Sequence, residues 1–197
     1  MNFDRIRECS AWGNEPGLRD KPVEAIIVHQ HGTDGAPDKD QPWPDLQGAE
    51  DLAIYHSTHS ELVGVTGRLP YGFAVTRYGA IEQGISLRHY GCGAMDWSAL
   101  SVEIAVLGDL RTGPATLSQM RALLVLCNTL HATFGAQVLG HSEAHELGKP
   151  RRRATTNPHK VLGGSEQCPG SHLDLDEVRR HAYEPGARSL SELGIVR

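Results

Sequence analysis

Histidine is over-used in this sequence, with 11 among 197 residues. It is a common metal ligand and acid–base residue, so spacing rather than number must single out the ones that act. His29 follows the apolar run Val23-Glu24-Ala25-Ile26-Ile27-Val28, and His141 follows Gln137-Val138-Leu139-Gly140. Cys168 stands immediately before Pro169-Gly170. A catalytic zinc takes three protein ligands and keeps a fourth position for water. Strand ends and rigid turns suit the task because they fix the direction of each ligand. By residue type alone, the plainer account stands ahead: scattered structural histidines and one buried thiol.

Other clusters rank lower. His31 shares a strand face with His29, since side chains two apart on a strand point the same way. His141 and His145 are four residues apart, but the glutamate between them is not placed as in the HExxH metalloprotease helix. His56 and His59 fall on a polar helix. The basic run Lys149-Pro150-Arg151-Arg152-Arg153 reads as a solvated loop.

The elements that must position these residues are legible from periodicity. Val23–Val28 reads as a buried strand delivering His29, and residues 32–44 as a loop dense in Gly, Pro and Asp. Residues 46–62 have helical spacing. Tyr71–Arg77 alternates like a strand, Tyr78-Gly79 turns, and Ala80–Gln83 returns, which makes a hairpin. Ser101–Leu107 is a further apolar strand. Thr116-Leu117-Ser118-Gln119 fits a capping box. The steps through Leu117, Met120, Leu123, Leu124, Cys127, Leu130 and Phe134 then predict a long helix ending at Gly135. Gln137–Gly140 is a short strand into His141, Ser142 to Gln167 a long polar loop, and Asp174–His181 a closing helix. Strands and helices intermix, so the expected class is α/β, a central mixed β-sheet flanked by helices in a single domain.

Bulk properties exclude several functions. A net charge of -5 argues against a nucleic-acid binder, which needs a concentrated basic surface. Nowhere do eighteen apolar residues run together, so no membrane insertion is expected. Charged residues in Met1–Glu8 occupy the place where a secretory signal needs an apolar run, so synthesis in the cytoplasm without a signal peptide is expected. The four cysteines have no CxxC spacing and do not read as a disulfide framework.

Taken in order, the motifs resemble the amidase type 2 family, which includes bacteriophage lysozyme-type amidases and peptidoglycan recognition proteins. The resemblance is carried by Ile26-Ile27-Val28-His29 with Thr33, by Leu69-Pro70-Tyr71-Gly72-Phe73, and by Arg77 to Gly84. It continues through Ser101 to Asp109, Gln119, Leu139-Gly140-His141-Ser142-Glu143, and Cys168-Pro169-Gly170 with Leu173-Asp174. It spans roughly residues 23–180 and implies the peptidoglycan recognition protein-like fold. It further implies one zinc held by His29, His141 and Cys168, with Thr33 favouring His29 over His31. Tyr71 matches the family's active-site tyrosine; a plain core tyrosine is the other reading. The chain departs from the family in four places. Gly72 replaces a His, and Cys92-Gly93-Ala94-Met95 replaces Trp-His-Ala-Gly. Ala105 stands at the strand glutamate, and Glu166 stands where phage enzymes carry Lys.

The implied activity is that of a zinc-dependent N-acetylmuramoyl-L-alanine amidase cutting the lactyl–L-Ala amide of peptidoglycan. Zinc would activate water and polarise the carbonyl, Tyr71 would stabilise the oxyanion, and Glu166 or Glu103 would move protons. The implied setting is a phage endolysin, expected to be a monomer, that reaches the cell wall after holin-type release. The alternative is a non-catalytic muropeptide-binding module of the same fold. The expected division is an irregular segment 1–22, a zinc amidase domain 23–182 and a tail 183–197. The loop from Ser142 to Gln167 is expected to contact substrate, with Lys149 to Arg153 meeting carboxylates of the stem peptide or anionic wall polymers.

Overall fold

Two strands with every residue buried form the centre of the molecule: β2 (Ala25–His31) and β5 (Ser101–Leu107). Such strands belong to a parallel sheet covered on both faces. They lie in a computed structural model that describes residues 7–8, 18–31, 52, 71–91, 94–111, 113–147 and 168–186. The remaining strands are β1 (Arg7–Glu8), β3 (Phe73–Val75), β4 (Ile81–Gln83) and β6 (Gln137–Gly140). The order across the sheet is β1-β4-β3-β5-β2-β6. All neighbours are parallel except the β3–β4 hairpin, so the sheet is mixed.

Strand alternation sorts the core into two layers. Ile26, Val28, Val102, Ile104 and Val106 pack with residues of the helices α1 (Leu117–Phe134) and α3 (Leu175–Ala182). Ala25 and Ile27 turn the other way and pack with Ala94, Leu139 and Ala144. On that second side lie a 3-10 helix, Met95–Leu100, and the short helix α2 (His141–Glu146). The face that carries Ala25 and Ile27 also carries His29.

α1 starts at Thr116 with both bonds of the capping box and closes at Gly135, as its sequence predicts. The predicted apolar stripe, however, is rotated. Leu117 is 66% exposed, whereas Gln119 is buried. Its amide explains this. Oε1 accepts from the Thr116 backbone at 3.0 Å, and Nε2 donates to the Leu107 carbonyl at 2.7 Å. A polar side chain with both ends paired can be buried without penalty, and apolar periodicity is blind to it.

Three other expectations need adjustment. β2 extends through His31, so His29 lies within the strand rather than after it. The strand expected over Tyr71–Arg77 is limited to Phe73–Val75, because the turn bonds Thr76 N–H to Ala80 O and Gly79 N–H to Thr76 O already bend the chain. The loop expected from Ser142 begins as the helix α2. Residues 7–8 form the edge strand β1, and the Arg19 guanidinium donates to four backbone carbonyls. At the other end Tyr183 and Glu184 are tied to the fold. The Tyr183 hydroxyl accepts from Val138 N–H, and Asn128 donates to the Glu184 carbonyl. Of the helix expected over 46–62 only Leu52 is described, helical and buried. Glu166, Thr33, Cys9, Cys92, His56, His59 and the basic run 149–153 lie outside the described residues.

Candidate metal centre

Three separate stretches of chain converge on one spot. His29 projects from the middle of β2, His141 opens α2 directly after β6, and Cys168 sits in the turn that precedes Pro169. One ligand atom from each lies within 4.8 Å of the others. The His29 and His141 ring centroids are 4.5 Å apart, and His29 Nδ1 is 3.9 Å from Cys168 Sγ. Two ligands in a tetrahedral zinc shell, one nitrogen and one sulfur, stand roughly 3.5 Å apart. The donor set and its spacing therefore fit zinc with a small contraction. Among the described residues this is the group that could hold a metal, and His31 is not part of it.

Local structure explains why the three meet. Parallel pairing of β2 with β6 places Val28 opposite Gly140, so His29 and His141 leave neighbouring strands at nearly one level. Cys168 is bound to α2 through its carbonyl, which accepts from Ser142 N–H at 2.9 Å. Gly140 permits that approach. A Cβ there would meet Pro169 Cδ and Leu175 Cδ1, both at 2.8 Å. Glu143 reaches back to Gly140 N–H at 2.7 Å, half of a capping box, and pairs with Arg179 of α3. Burial lowers the pKa of Arg179, but hydrogen bonds and charge from Glu143 and Asp176 outweigh it and the net shift is upward. Trp97 Nε1 donates to the Ala144 carbonyl at 2.8 Å, fixing α2 from the other side.

Tyr71 also faces the centre. Its ring centroid is 5.0 Å from that of His29, and 6.4 Å from that of His31 in an edge-on arrangement. Glu103 is buried on β5 with Oε2 3.9 Å from His29 Nε2. Of the residues singled out in the sequence, His29, His141, Cys168, Tyr71 and Glu103 are thus together. Sequence reasoning missed the supports Arg19, Glu143 and Arg179. The glutamate three residues after Gly140 carried a usable signal, since that spacing suits a side chain reaching back to a helix start. Arg19 and Arg179 gave none, because their partners are backbone carbonyls and distant side chains.

A mixed sheet with two histidines and a cysteine converging on one face offers the nitrogen and sulfur donors that zinc takes. The chain belongs to the N-acetylmuramoyl-L-alanine amidase family, whose model matches residues 19–171. No curated protein matches the sequence. Solved structures do match. The N-acetylmuramoyl-L-alanine amidase LysC from Clostridium intestinale aligns with a TM-score of 0.64 and 18% identity, over 89% of this chain and 95% of that one. The Ph2119 endolysin of a Thermus scotoductus bacteriophage gives a TM-score of 0.63 and 20% identity, over 91% and 100%. A point mutant of Drosophila PGRP-LB in complex with tracheal cytotoxin gives 0.56 and 21%, over 89% and 94%. These likenesses establish the shared fold, that of amidase type 2 and peptidoglycan recognition proteins.

Proposed function

We propose that this protein is a zinc-dependent N-acetylmuramoyl-L-alanine amidase that hydrolyses the lactyl–L-Ala amide of peptidoglycan. The observation that carries the proposal is the convergence of His29, His141 and Cys168 donor atoms within 4.8 Å, in a chain of the amidase family. In this reading those three residues hold the metal, Cys168 as its thiolate. Zinc, when bound, brings the pKa of its water toward neutrality and polarises a carbonyl.

The chain's own residues do the rest. Water adds to the amide carbon, the C–N bond breaks, and the proton passes to the departing nitrogen, leaving a lactyl carboxylate and a free L-Ala amine. The hydroxyl of Tyr71, whose ring centroid lies 5.0 Å from that of His29, donates a hydrogen bond to the oxygen as negative charge develops on it. Glu166, two residues before Cys168 in sequence, carries the proton from water to nitrogen. The division into an amidase domain over 23–182 with short flanks, and a monomeric state, belong to the same proposal.

The setting proposed is a phage endolysin acting on the cell wall, supported by likeness to the Ph2119 endolysin. Among the described residues no helix is long and apolar enough to cross a membrane.

Purified peptidoglycan incubated with the protein should lose turbidity and gain free L-Ala amino groups without new reducing sugar ends. A chelator should stop both changes, and added zinc should restore them. Wall binding without any new amine would instead establish the non-catalytic recognition module.

A further inference from the structure

Glu103 is 1% exposed, and an ionised carboxylate in such a place is costly unless partners compensate for lost water. Three groups surround it. Ser101 Oγ donates to Oε1 at 3.5 Å, the Arg19 guanidinium acts on it through its charge, and His29 Nε2 lies 3.9 Å from Oε2. Arg19 is itself held in place, donating to the carbonyls of Leu87, His89, Ala99 and Ser101. The other nitrogen of His29, Nδ1, faces Cys168 Sγ at 3.9 Å. The imidazole therefore has the cysteine ligand on one side and the carboxylate on the other.

Strand register gives the same orientation. His29 is paired with Ala105, so the position of β5 level with the ligand carries only a methyl group, and Glu103 pairs with Ile27 one pleat away. A group that relays protons to substrate must reach it. Glu103 instead faces the histidine and is closed to solvent.

We propose that Glu103 is a positioning residue for His29. Its carboxylate, backed by Arg19, accepts from Nε2–H, so the ring is held in one tautomer and direction with the Nδ1 lone pair presented to the metal. Ligating histidines are commonly oriented through their second nitrogen in this way, and the partner's loss typically costs 10–100-fold in metal affinity or activity. This inference rests on the zinc-amidase reading.

The test is zinc affinity of the full chain, measured by competition with a chromophoric chelator, for the wild type, Glu103→Gln and Glu103→Ala. The alanine variant should bind zinc roughly 10–100-fold more weakly. The glutamine variant should lose less, because its amide oxygen still accepts from Nε2–H. Hydrolysis at saturating zinc should fall less than affinity does. Unchanged zinc affinity with hydrolysis abolished would overturn the proposal and make Glu103 an acid–base residue. Should a variant fail to fold, nitrogen-15 NMR of the zinc-loaded wild type decides. An Nε2–H tautomer at His29 supports the proposal, and an Nδ1–H tautomer refutes it. A wild type that takes up no zinc overturns the underlying reading as well, an outcome the variants alone cannot produce.

Discussion

At the scale of single residues, Tyr71 and the three ligands should separate cleanly. Tyr71 contributes a ring that packs beside His29 and a hydroxyl assigned to the developing oxyanion. Tyr71→Phe keeps the ring and removes the hydroxyl. Hydrolysis should then fall on the order of 100-fold, the usual effect of deleting one oxyanion donor, while zinc content stays at the wild-type level. Wild-type activity in that variant would return Tyr71 to the role of a core tyrosine. The three candidate ligands were visible in sequence because each stands beside a strand or a Pro-Gly turn, and the family pattern selected two of the 11 histidines and Cys168. The proposed role of Glu103 was not visible. Only the register with β2 shows that it lies against His29 rather than in front of it.

At the scale of elements, the centre depends on how closely α2, α3 and the Cys168 turn approach β6. Gly140 is the point of closest contact, and a methyl there would press on Pro169 and Leu175 at 2.8 Å. Gly140→Ala should leave a folded protein less stable by about 1–3 kcal/mol, the usual cost of overpacking, and should weaken zinc binding because the turn carrying Cys168 must shift. Thermal melting with chelator competition checks both. Undiminished zinc affinity would mean the turn adapts without moving the ligand. β5, the hairpin and α1 were legible in sequence because their signals are local: an apolar run, alternation with Tyr-Gly, and a capping box. The rotation of α1 was not, because a buried Gln119 satisfied by Leu107 and Thr116 leaves no trace in apolar spacing. Nor was α2 legible, since five of its six residues are polar and its supports come from Trp97, Arg179 and Cys168.

At the scale of the whole molecule, one sheet separates a dry helical layer from the layer that holds chemistry, and the two should respond differently to conditions. Cys127 belongs to the dry layer, fully buried on α1, and burial pushes its thiol pKa above the ordinary value of 9.0. Its folded-state pKa exceeds the unfolded one, so its contribution to stability is complete below about pH 9 and is lost as pH rises further. The stability gap between wild type and Cys127→Ala should therefore shrink above pH 9, by up to about 1.4 kcal/mol per pH unit, in urea unfolding of the metal-free protein. A gap that stays constant would show that this thiol ionises in the native state. The second layer is where the central claim stands or falls, and anomalous diffraction at the zinc edge from crystals of the zinc-loaded protein tests it most directly. The account predicts one zinc per chain, with Cys168 Sγ at about 2.3 Å and one nitrogen each from His29 and His141 at about 2.0–2.1 Å. Zinc bound elsewhere, or a shell that omits any of these three residues, would contradict it.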